Sequence, residues 1–160
     1  MKTETSKSSR IQREIQQRRP FKNRRQEAAV ALLRTVDVVR RRMARTIEPA
    51  GITLQQYNVL RILRGSGDGG IATLEIARRM IEQAPGITRL LDRLETKRLV
   101  RRQRCPSDRR QVLCWITGEG LELLGRLDVT VDRADADALS ALDAEEIVRL
   151  IELLDSIRGE

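Results

Sequence analysis

The groups in this chain best suited to chemistry are arginines, and they gather in one stretch. Asp108-Arg109-Arg110 sits at a Pro-Ser-Asp turn between a basic strand and a return strand, and an amphipathic run from Ile87 leads into it. Guanidinium groups bind phosphate and pair with the O6 and N7 edge of guanine, so cations at these two places suit duplex DNA. Thr88, Arg89 and Arg93 lie on the face opposite Ile87, Leu90, Leu91 and Leu94. Thr88 and Arg89 are expected to reach major-groove edges, with Gln83 as a weaker contact at the helix start. Arg78, Arg79, Arg93, Lys97 and Arg98 add cations around them. An arginine at a hairpin tip fits the narrow, electronegative minor groove. Asp108 either holds that guanidinium in a fixed pose or serves as an ordinary turn former.

The charge distribution agrees with this placement. Residues 1–25 hold nine Lys/Arg and two Asp/Glu, a net +7; residues 26–50 come to +2 and residues 51–116 to +7, whereas residues 117–160 come to −8. A basic middle and an acidic end imply one lobe facing a polyanion and another turned away. Aromatic residues make up only 2% of the chain, namely Phe21, Tyr57 and Trp115, so base stacking of the single-strand kind cannot be the main binding mode. There is no histidine, no phosphate loop and no cluster of metal ligands, so neither an enzyme nor a metal or cofactor site is expected. The two cysteines are too few for a disulfide framework, and no apolar run reaches membrane-spanning length. A soluble, cytoplasmic protein is the expectation.

The apolar spacing indicates the elements that must position these groups. Residues 1–25 are polar and basic and are expected to form a mostly disordered arm, with Pro20 ending any transient helix over Ile11 to Arg19. From Gln26, the residues Ala29, Leu32, Leu33, Val36, Val39 and Met43 predict a long helix ending near Pro49 and Gly51. Thr53 and Gln56 form a capping box for a helix over Leu54 to Arg64, which stops in the Gly65–Gly70 loop. Thr73 is expected to cap a short helix carrying Leu74, Ile76, Ala77 and Met80, and Pro85 to sit in the first turn of the next. Val100 to Cys105 and Gln111 to Ile116 read as a hairpin. Two further helices follow, one from Thr117 and one capped by Asp143 and Glu146. The expected fold is mainly α with a small β wing: a winged helix-turn-helix lobe over residues 51–116 and a helical dimerisation region over 26–50 and 117–160. The wide apolar stripes of the outer helices call for a partner, most simply a second copy.

Residues 26–158 resemble the MarR family of bacterial transcription regulators. The resemblance lies in ITLQQYNVLRIL, in LEIARRM, in ITRLLDRLETKRLVRR, and above all in DRRQVLCWIT followed by Gly118-Glu119-Gly120. It implies a homodimer that binds a pseudo-palindromic operator, usually as a repressor, and in many members releases it on binding a small phenolic or amphipathic ligand. It also implies that Arg110 enters the minor groove with Asp108 bracing it, while Arg109 contacts a phosphate. A ligand pocket would lie between the DNA-binding lobe and the helical interface, with Tyr57 and Trp115 as candidate borders. Two positions depart from the family pattern: Gln83-Ala84-Pro85-Gly86 stands where Ser or Thr often starts the recognition helix, and Arg98 stands where Gly is usual. Some similar proteins sense oxidants through cysteine, which makes Cys105 a candidate redox residue. Its neighbouring arginines should lower its pKa, whereas Cys114, on the order of 13 Å away, lies beyond direct disulfide reach. The alternative to a DNA-binding regulator is a protein-interaction module on the same scaffold, whose affinity would not fall with salt as a phosphate binder's does.

Overall fold

A computed structural model describes residues 9–82, 86–108 and 110–159. The chain divides into two compact units, residues 1–41 and 42–160. In the first, α1 (Arg10–Glu14) is capped by Ser9, whose hydroxyl accepts from the Gln12 amide at 3.4 Å. A helix thus occupies part of the segment expected to be a disordered arm, and its Ile11 is buried. The long helix α2 (Arg24–Ile47) begins two residues earlier than the apolar spacing suggests, because the Asn23 side chain accepts from the Gln26 amide at 2.9 Å.

In the second unit, the end of α2 leads through a 3-10 turn at Glu48–Ala50 into α3 (Leu54–Gly65). The expected capping box is present. The Gln56 amide donates to the Thr53 hydroxyl at 3.2 Å, and the Thr53 amide donates to Oε1 of Gln56 at 3.0 Å. After a second 3-10 turn come β1 (Ile71–Ala72), α4 (Thr73–Arg79), α5 (Ile87–Thr96), β2 (Val100–Arg104), β3 (Val112–Ile116), α6 (Gly118–Ala138) and α7 (Ala144–Arg158). The strands form one antiparallel sheet in the order β1-β3-β2, with Ile71 opposite Cys114 and Arg102 opposite Cys114 on its other side. The two-residue strand β1 escaped sequence reading because it is too short to show alternation.

Thr73 differs from expectation. It is the first residue of α4, and its hydroxyl donates across the fold to the Val112 carbonyl at 3.2 Å instead of capping its own helix. The core is aliphatic. Val59, Leu60 and Leu63 of α3 meet Ile76, Leu91, Leu94, Val100, Cys114 and Leu124. Gly120 allows α6 to start against the sheet, since a Cβ there would come within 2.5 Å of the Leu99 carbonyl oxygen. The Arg64 guanidinium donates to both carboxylate oxygens of Asp128, at 2.9 and 3.1 Å, tying α3 to α6. Helix α7 carries the second expected capping box, Asp143 with Glu146, and buries none of its residues. Among the described residues no helix is long and apolar enough to cross a membrane.

Truncating a fully buried leucine removes packing that the close-packed core cannot replace, so Leu91→Ala should cost about 2–5 kcal/mol in chemical denaturation. The pair to Arg64 holds the Asp128 carboxyl below its ordinary value of 3.8. A carboxylate with a lowered folded-state pKa stabilises the fold above its unfolded value and loses that contribution as pH falls through the folded one. Acid unfolding should therefore be steeper below about pH 4 for the wild type than for Asp128→Asn, by a small margin because the pair is partly solvated.

Candidate nucleic-acid interface

Helix α5 is placed by its apolar stripe: Leu90, Leu91 and Leu94 are buried, which leaves Thr88, Arg89, Asp92 and Arg93 on the exposed side. Arg89 and Arg93 make no ion pair among the described residues, so their guanidiniums are available to an external anion. Arg78 and Arg79 are exposed but already engaged within α4, where both meet Glu75, at 3.7 and 2.8 Å. This local neutralisation holds the Glu75 carboxyl below its usual range, chiefly through the hydrogen bond from Arg79. Lys97 is likewise occupied, donating to the Gly51 carbonyl. Of the cations counted from the sequence, those left free on this helix are the ones on its outward face.

The hairpin after α5 starts from a constrained turn. Arg98 adopts a left-handed conformation with φ +59°, a region that favours glycine. The turn is held from both sides: the Arg98 amide donates to the Glu95 carbonyl at 2.8 Å, and the Thr117 hydroxyl donates to the Arg98 carbonyl at 2.7 Å. At the far end the Asp108 carboxylate accepts from the Arg110 amide at 2.9 Å and from the Gln111 side chain at 3.2 Å. Asp108 thus shapes the turn through the backbone. No Asp108–Arg110 ion pair forms among the described residues. The Arg110 side chain is exposed and makes no ion pair among the described residues. Gln83 and Arg109, both named as candidate contacts, lie outside the described residues, as do Ala84 and Pro85.

Between these two cationic elements runs a cleft of about 400 Å³, lined by Thr88 of α5, Leu74 and Ala77 of α4, and Arg102, Arg110 and Gln111 of the hairpin. Neither Tyr57 nor Trp115 lines this cleft. Tyr57 is buried in the α3 core, where desolvation raises its pKa. Trp115 lies under Arg101, whose guanidinium carbon is 4.0 Å from the ring centroid, and its Nε1 donates to the Asp68 carbonyl at 3.0 Å. Gly70, at φ +69°, is needed there because a Cβ would come within 2.4 Å of the indole. Trp115 anchors the loop between α3 and β1 to the sheet.

Arg102 was missed as a site residue by sequence reading. It bridges from β2 to Asp92 and Glu95 of α5, both at 2.6 Å. Its signal in the sequence is only a spacing of seven from Glu95, which means nothing until the chain turns back at Arg98. The cause of the Cys105 shift also differs from expectation. The Cys105 thiol is held below its usual value, but by the Ser107 hydroxyl at 3.2 Å and by backbone hydrogen bonds at Ser107 and Asp108, not by arginines. Cys114 is fully buried and shifted upward by desolvation.

This arrangement of elements matches known proteins along nearly its whole length. The profile of the MarR family matches residues 52–112. A MarR transcription factor from Planctomyces limnophilus shares 40% sequence identity, with 85% of this chain and 98% of that one covered and a TM-score of 0.67. The chain belongs to the MarR family. Two further solved structures share the fold at lower identity. S. aureus MepR, solved in complex with DNA, is 23% identical over 81% of this chain and 95% of that one, with a TM-score of 0.73. Bordetella bronchiseptica BpsR, whose DNA binding is regulated by 6-hydroxynicotinic acid, is 23% identical over 82% and 98%, with a TM-score of 0.72. As a MarR-family regulator the chain has a helix-turn-helix in α4 and α5 and a wing in β2 and β3. The left-handed Arg98 at the base of that wing predicts that Arg98→Gly raises the urea midpoint, by roughly 0.5–1 kcal/mol in stability. An unchanged or lowered midpoint would count against strain at this turn.

Proposed function

We propose that this chain is a sequence-specific regulator of transcription that binds double-stranded DNA as a homodimer and acts as a repressor on a pseudo-palindromic operator. The observation that carries the reading is the placement of exposed cations that make no ion pair among the described residues: Arg89 and Arg93 on the outward face of α5, and Arg110 at the tip of the wing. A helix of this kind enters the major groove, with Thr88 and Arg89 at its leading end addressing base edges. Arg110 then reaches the adjacent minor groove, whose potential favours a guanidinium. Arg109 follows on a phosphate, with Gln83 near the helix start. That the relative MepR has been solved in complex with DNA supports the DNA-binding reading.

Dimerisation is supported by apolar surface that the single chain leaves open. Leu33 and Val36 of α2, Val129 of α6, and Val148, Ile151, Leu153 and Ile157 of α7 are all exposed. A second copy is the simplest cover, and it sets two recognition helices against half-sites about 34–36 Å apart. Release by a small-molecule effector is part of the proposal, supported by the ligand-regulated relative BpsR. The protein would act in the cytoplasm, where its DNA target is.

The test is fluorescence anisotropy on a duplex selected from a random library by the wild-type protein. Arg110→Ala should weaken the selected duplex by about tenfold or more, as expected when a good base-edge or minor-groove contact is lost. The logarithm of affinity should fall linearly with the logarithm of salt, with a slope of about −0.9 for each phosphate neutralised. Affinity indifferent to both salt and Arg110 would sink the reading and favour a protein-interaction role.

A further inference from the structure

Arg102 lies on β2 and is half-buried, its side chain 21% exposed. Its Nε and Nη2 donate to Oε2 of Glu95 at 3.0 and 2.6 Å, and Nη2 also reaches Asp92 at 2.6 Å. The backbone amide of the same residue donates to the other Glu95 oxygen at 3.1 Å. One glutamate is therefore gripped at both oxygens by a single residue, and a second carboxylate one turn earlier on α5 completes the clamp. Among the described residues these are the only side-chain hydrogen bonds between α5 and the β2–β3 hairpin.

The clamp stands between the two elements that face DNA. On one side α5 carries Thr88, Arg89 and Arg93; on the other the hairpin ends at Arg110, and Thr88, Arg102 and Arg110 all line the same cleft. A duplex sets the distance between its major and minor grooves, so a helix in one and a hairpin tip in the next must be held at one separation to bind together. The turn at Arg98 fixes the hairpin only at its root. We propose that Arg102 is a positioning residue that locks the wing to the recognition helix, so that Arg110 contributes to binding only while the clamp is closed. This rests on the DNA-binding reading above. The planar fork is what the geometry uses, because a lysine offers a point charge and cannot hold two carboxylates in one plane.

Two measurements test it. In the free protein, hydrogen exchange followed by mass spectrometry should show peptides of the hairpin, residues 100–116, exchanging at least about fivefold faster in Arg102→Met, while α3 peptides stay unchanged. Unchanged hairpin exchange overturns the proposal, and this arm does not depend on any DNA. The second is a double-mutant cycle on the selected duplex. Arg110→Ala should cost about tenfold in the wild type and less than about twofold in the Arg102→Met background, because a freed wing no longer places Arg110. Penalties that multiply independently overturn the coupling, as does full recovery by Arg102→Lys, which would mean that charge alone suffices. Should Arg102→Met fail to fold, Glu95→Gln keeps the shape and removes the charge-assisted grip, and the same two readings apply to it. A wild-type protein that selects no duplex, or one indifferent to Arg110→Ala, refutes the DNA reading instead, and hydrogen exchange still decides the clamp.

Discussion

The burial of one face of α5 is the interaction on which the rest of this architecture depends. Leu91 and Leu94 are fully buried and Leu90 nearly so. Each such side chain contributes roughly 1.5–3 kcal/mol on leaving water. The exposed ion pairs of the same region contribute at most about 1 kcal/mol each. Hydrophobic packing against α3 therefore decides how α5 is rotated, and the polar face is presented as a consequence. That division of labour leaves Arg89 and Arg93 without an ion pair among the described residues.

The wing is attached under a different constraint. Its base is a tight turn in which Arg98 occupies a left-handed conformation, and Thr117 and Gly120 close the space behind it. Strand β1 covers one edge of β3, so the small sheet leaves fewer unpaired backbone groups to water. Trp115, stacked beneath Arg101 and bonded to the Asp68 carbonyl, fastens the preceding loop to the sheet. Together these contacts define where the hairpin leaves the core, and the Arg102 clamp defines where it goes.

Much of the fold was legible in the residues because it is encoded locally. Both capping boxes, Thr53 with Gln56 and Asp143 with Glu146, involve partners three residues apart, and both form as expected. The hairpin strands are recovered to within a residue because short runs flanking a Pro-Ser-Asp turn are a local signal. The misreadings share one cause. Thr73 precedes an apolar run and looks like a cap, but its hydroxyl is claimed by Val112 on a distant strand. Cys105 has the lowered thiol pKa expected of it, for a reason found in the turn geometry and not in the flanking charges.

By itself the sequence determined the periodicity that makes α5 two-faced, the caps that bound its neighbours, and the presence of arginine on one face and at the hairpin tip. These follow from intervals of two, three and four residues, which any local backbone expresses. Only the tertiary structure decided which cations are spent and which are free. Lys97 is taken by Gly51 and Arg102 by Asp92 and Glu95, while Arg89, Arg93 and Arg110 are exposed and make no ion pair among the described residues. Except for the pairs within one helix turn, such as Arg79 with Glu75, that sorting depends on segments brought together only when the core closes. A charge count cannot contain it, because Coulomb and hydrogen-bond energies depend on distance in space and not on separation along the chain.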